Sequence, residues 1–176
     1  MPRVTRPRAA SAAAILALGA LGAVAVPSAA QAATSVTANY TCHLPTGDQT
    51  GDFTAEVTLD PAAPVSGQPV NVNVDLTQVP FTAPVQVNSY DATLTINVTG
   101  AETSSFTVTK SSDTPIPANE PITVQGMTGT WTPSAAGDDT GTPGSAVVNA
   151  NVALLGDVTV TCEPAGDVPG VPITVG

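Results

Sequence analysis

Cys42 and His43 are the first residues to weigh for chemistry. They stand side by side in YTCHLPTGDQTGD, residues 40–52, where His43 is the only histidine of the chain and Cys42 one of two cysteines. A cysteine nucleophile needs its thiolate beside an imidazole, and a serine triad needs a histidine base. Neighbouring residues of a strand point to opposite faces, so a Cys42 that faces inward sends His43 out into solvent. An oxidised cysteine also has no thiolate to offer. The pair therefore reads as a structural cysteine and an exposed, ordinary histidine. Zinc fails on ligand count, since a site wants three or four Cys, His or carboxylate donors. Calcium needs only oxygen. Asp48 and Asp52 flank one glycine-bearing loop, and Asp138 and Asp139 sit in another. Neither follows the spaced Asp/Asn-Gly loop closed by a glutamate, so these four are the nearest approach to a calcium set and are expected to be solvated turn residues. No metal or cofactor is assigned. Glu56, Glu102, Glu120 and Glu163 could supply a glycosidase pair, but that chemistry depends on a separation in space that sequence spacing does not give. No catalytic residue is assigned.

The N-terminus has the layout of an export signal. Arg3, Arg6 and Arg8 precede an apolar run from Ala12 to Val26, and Ala30-Gln31-Ala32 fits a small-x-small cleavage site. The run is shorter than the roughly 20 residues that span a bilayer. We expect residues 1–32 to be a secretory signal peptide, with no membrane insertion once it is cleaved. All the arginines lie there. One lysine, Lys110, then stands against 14 Asp and Glu, which leaves the mature chain at −13. Phosphate binding needs Lys or Arg, so nucleic acid is excluded as a partner. In an exported chain two cysteines read as a disulfide, and Cys42–Cys162 is the one intramolecular pairing available. It would tie the first strand to the last.

The elements that carry these residues read as strands. Val36, Ala38, Tyr40 and Cys42 alternate with Thr37, Asn39 and Thr41, and comparable rows run over 53–59, 70–76, 92–98, 106–108, 148–152 and 158–162, with a shorter one at Ile122 and Val124. From residue 33 onward valine supplies 20 residues and leucine only 6, which suits a pleated, half-buried surface. Turn chemistry at 60–69, 99–105 and 137–144 separates the rows, and Gly156-Asp157 reads as a tight hairpin turn. Seven to nine short strands of this kind predict an all-β fold, an antiparallel immunoglobulin-like β-sandwich over 33–164, with an open barrel as the alternative. Residues 165–176 are rich in Gly and Pro and read as a tail, in which Ile173 to Val175 either adds an edge strand or frays.

Surface recognition is the remaining possibility. Asn71, Asn73 and Asp75 form a polar row on one strand, and Asn149 and Asn151 on another. Such rows can read sugars or peptides, or can be the ordinary wet face of a sheet. Trp131 and Tyr90 fall among apolar positions, where the core is the expected place, but exposed they would be binding platforms.

Four short stretches carry a resemblance. YTC (40–42), IPANEPITV (116–124), WTP (131–133) and VTCEP (160–164) make the chain similar to a family of secreted actinobacterial two-cysteine β domains of unknown function. The resemblance implies export, a two-cysteine all-β domain and an extracellular or cell-surface role, and it brings no catalytic residues. The expected function is thus a secreted, non-enzymatic β module that binds an extracellular protein or glycan or serves structurally. A carboxylate-dependent hydrolase acting on glycans, or a small-ligand carrier, is the alternative.

Overall fold

The computed structural model describes residues 33–176; the expected signal peptide lies outside them. Nine antiparallel strands follow one another with no helix between them: β1 (Thr34–Leu44), β2 (Gly47–Asp60), β3 (Val70–Gln78), β4 (Val87–Gly100), β5 (Thr103–Ser112), β6 (Val124–Trp131), β7 (Gly137–Val152), β8 (Gly156–Pro164) and β9 (Val171–Val175). The all-β, antiparallel expectation holds. Pairing does not divide these strands into the two separate sheets of a sandwich, however. It runs β4-β5-β6-β3-β2-β1-β8-β7, and β7 then pairs with β4, so eight strands form a closed ring. Closure removes the exposed edges that a sandwich would carry. Period-two patterning specifies a half-buried sheet equally well in either architecture; only the long β4–β7 register, from Val87↔Val152 to Gly100↔Asp139, decides for the barrel.

Two seams are narrow. β5 meets β6 at a single ladder pair, Thr109↔Thr128. β1 meets β8 over Tyr40↔Pro164 to His43↔Thr161. The disulfide sits in the second seam, between the directly paired Cys42 and Cys162, whose Cα atoms are 3.9 Å apart. It joins the first strand to the penultimate one rather than to the last, because Val171–Val175 forms β9 against the start of β7. Val171, Ile173 and Val175 are buried, and their apolar faces hold this end of the chain in the core.

Turn chemistry misleads in two places. The glycine-rich stretch 137–144 is not a loop but the first half of β7, flanked by β4 on one side and β9 on the other. There a glycine serves close packing: a Cβ at Gly144 would lie 2.7 Å from Asn97 Nδ2. The β7–β8 turn is also longer than a two-residue hairpin. Val152 pairs with Gly156, and the intervening Leu154 has φ 70°. The strand that the pattern missed most fully is β6. Its polar and glycine residues hide the period, and it is recruited by pairing with β3.

The two ends of the barrel differ. At one end, call it the base, Val70, Val98 and Val108 are fully buried and Trp131 is 3% exposed. The 61–69 loop closes over them: Ser66 N–H donates to Gly176 O, Gly176 N–H to Pro64 O and Gly67 N–H to Pro133 O. At the other end, the mouth, lie the β1–β2 turn, the 79–86 and 113–123 loops and the β7–β8 turn. The two long loops bond to each other, with Val87 and Ile116 exchanging both backbone bonds and Ala83 N–H donating to Glu120 O.

Candidate functional site

Inward rows of an eight-stranded barrel just fill its interior when side chains are of ordinary size, and leave room for one small ligand when they are not. Here the rows are short. β1 sends in Val36 and Ala38, β2 Ala55 and Val57, β7 Ala146, Val148 and Ala150, and β8 Val158 and Val160. The result is a cavity of about 680 Å³ running through the barrel above the base. Packed protein interiors contain few voids larger than a water molecule. At about 30 Å³ per water, this space is on the order of twenty times that. Binding pockets for small molecules fall at roughly 300–1,000 Å³.

The walls are apolar. Phe53 and Phe81 meet edge to face at 5.5 Å, and Tyr40 meets Phe53 in the same way. Phe106, Ile116, Met127 and Leu94 face them across the space. The lining residues that are exposed, Pro45, Thr46, Gln49, Pro80, Thr82, Pro84 and Leu155, all belong to the mouth. Leu155 is 60% exposed and its neighbour Leu154 98%, so an apolar turn stands at the entrance. The two phenols of the wall are already donating, Tyr40 Oη to Gly144 O at 2.8 Å and Tyr90 Oη to Thr123 O at 3.3 Å, and Thr93 of β4 also belongs to the lining. Burial, with a smaller contribution from the Glu163 carboxylate, pushes the Tyr40 phenol up to about 12. Burial raises Tyr90 as well, against a hydrogen bond with Ser112.

Of the sequence-selected residues only Tyr90 and the bridged Cys42 and Cys162 line this space; the others fall elsewhere, and most are engaged in holding the barrel. Trp131 is no exposed platform. It stacks on Phe106 at 6.1 Å in the base and donates from Nε1 to Glu102 Oε1 at 3.0 Å. Tyr90 is buried in the cavity wall and is not a surface residue. His43 pairs with Asp48 at 2.7 Å as one rung of an outward ladder across β1 and β2. The other rungs are Thr41–Thr50, Asn39–Asp52 and Thr37–Thr54. Asp48 and Asp52 stand four residues apart on one strand, about 13 Å at strand rise, too far to share an ion. Asp138 and Asp139 are adjacent on β7 and point to opposite faces: Asp138 accepts from Thr174 Oγ1, and Asp139 accepts from Glu102 N–H. No cluster of three or more His, Cys, Asp or Glu able to hold a metal forms among the described residues.

The polar rows are likewise occupied. Asp75 accepts from Asn73 Nδ2 and from the N–H of Gly126, where the β3–β6 register slips. Asn71 is exposed. On the other side Gln86, Asn88, Asn151 and Asp157 form one hydrogen-bonded chain, and Thr159 Oγ1 donates to Asn149.

Among the described residues, Glu102 is the one buried carboxylate with a full set of partners. Ser104 Oγ and Trp131 Nε1 donate to Oε1, and Ser134 N–H and Oγ donate to Oε2. The hydroxyl of Ser104 and then that of Ser134 hold the carboxyl down to about 2 against the opposing effect of burial, with the Ser134 amide and Trp131 adding to this. A carboxylate held so firmly ionised, with both oxygens occupied, is a base-plate anchor rather than a proton carrier near neutrality.

The cavity's wall residues are legible in the sequence as apolar rows; the cavity itself is not. The signal available was the surplus of Ala and Val over Leu and Phe along those rows. Among the described residues no helix is long and apolar enough to cross a membrane. The chain matches no protein-family model, and no curated protein is similar to it.

Proposed function

We propose that this chain is a secreted, non-enzymatic binding protein whose barrel takes up a small apolar ligand. The observation that carries this is the apolar cavity of about 680 Å³, closed at the base and lined at its exposed end by mouth residues. Burying apolar ligand surface there returns about 25 cal/mol per Å². Export is supported by the leader pattern, by the disulfide and by the resemblance to secreted two-cysteine domains. A hydrolase gains no support from Glu102, whose oxygens are committed to Ser104, Trp131 and Ser134. A partner-binding sheet face gains little from polar rows that mostly bond to one another.

The test is titration with N-phenylnaphthylamine, an uncharged dye whose emission rises in apolar surroundings. The expected result is saturable binding of one dye per chain, lost in Ala150→Phe, which fills the cavity from the β7 wall. No saturable binding to the oxidised protein would remove the proposal.

A further inference from the structure

We infer that the ligand is an uncharged lipophile, and that an ionised carboxylate head excludes a molecule from this cavity. The inference rests on the carrier proposal and narrows it by charge. Among the described residues, no Asp, Glu, Lys, Arg or His lines the space. An anion taken into it would leave water and find no counter-charge, a cost that unpaired buried ions do not recover. The wall's two phenols cannot take the place of a cation, because Tyr40 donates to Gly144 O and Tyr90 to Thr123 O, and Thr93, which also lines the space, brings a hydroxyl but no charge.

A ligand could instead leave its head at the mouth, but nothing there receives an anion. The exposed rim offers Thr46, Gln49 and Thr82, all neutral, between prolines and Leu155. His43 lies near this end, and its Nδ1 is held by Asp48 at 2.7 Å. Lys110 is absent from the lining; its ammonium lies beside Gly126, where a Cβ would come within 3.6 Å of it. It is the only Lys or Arg in residues 33–176, against 14 Asp and Glu, so the field of the whole domain repels an approaching anion. Interior and rim thus select in the same direction. The neutral hydroxyl or amide groups of the rim suit an alcohol, ester or ketone end.

The experiment compares dansylaminoundecanoic acid with its methyl ester, two probes that differ in the charge of the head and one methyl group, by fluorescence titration of the oxidised protein near neutral pH. The ester is expected to bind at least about tenfold more tightly than the acid, a factor of ten corresponding to about 1.4 kcal/mol. Gln49→Lys, at an exposed rim position, is expected to narrow that ratio by strengthening the acid. Acid binding as tight as the ester overturns the inference and leaves the carrier proposal standing. Saturable binding of neither removes the carrier proposal, and this inference with it. A ratio unmoved in Gln49→Lys overturns the assignment of the selectivity to missing positive charge at the rim.

Discussion

At the scale of single residues, Glu102 has the most to lose. Four donors from β5, β6 and the turn after it converge on its carboxylate, and its own N–H is capped by Asp139 Oδ1. Its folded pKa, about 2, lies below the ordinary value, so the stability it contributes is present above pH 4.5 and is lost as the pH falls toward 2. Glu102→Gln keeps the shape but offers an amide N–H₂ where Ser134 N–H needs an acceptor. It should cost about 2–3 kcal/mol at neutral pH. Denaturant titration measures that loss, and a series of melting curves across the acid range should show the variant less sensitive than the wild type between pH 4.5 and 2. Tyr40 runs the other way. Its phenol is pushed up to about 12, so the protonated form favours folding, and stability should fall as pH rises from 10 toward 12. Tyr40→Phe should remove that alkaline slope, along with the bond to Gly144 O, which is worth about 1 kcal/mol. Melting temperatures of the two proteins across this range test it.

At the scale of elements, the two narrow seams carry the predictions. The Cys42–Cys162 bridge crosses the β1–β8 seam, where only a few residues pair, and closes a loop with a sequence separation of 120. In the chain-entropy model that constraint contributes about 4–5 kcal/mol. The double variant Cys42→Ala/Cys162→Ala should lose most of it in urea denaturation, and reductant should destabilise the wild type but not the variant. The β5–β6 seam depends on Gly129, where an added Cβ would stand 2.2 Å from Thr107 O and 3.0 Å from Val108. Gly129→Ala must push backbone from backbone, so a loss of about 1–3 kcal/mol is expected by the same denaturation measurement. Such requirements are illegible in sequence. Gly129 looks like a residue that weakens a strand, and it helps to hide the period of β6. The disulfide partners, by contrast, could be read from the cysteine count and the export-signal pattern, whereas their placement side by side on neighbouring strands could not.

At the scale of the whole molecule, the cavity decides how the protein is understood. The inward rows of β1, β2, β3, β4 and β8 were legible because alternation of Val or Ala with Thr or Asn is a local property of the chain. Whether such rows press against a facing sheet or curve round an open space depends on which strands pair at the ends. If the cavity binds an apolar ligand, Ala150→Phe should abolish saturable dye uptake without lowering the melting temperature, since filling existing space removes no contact. A fall in melting temperature with dye uptake retained would point to a packed interior.

The sequence by itself determined the strand chemistry, the acidic balance and the cysteine pairing, because each follows from residue type and local order. Tertiary structure decided the rest. It turned 137–144 from a loop into half of β7 and drew 171–175 into the core. It also bound Asp75 to the Gly126 N–H, set His43 against Asp48 on the outer face, and closed the ring through β4 and β7. These outcomes depend on contacts between residues far apart in the chain, whose cost and reward no local pattern encodes.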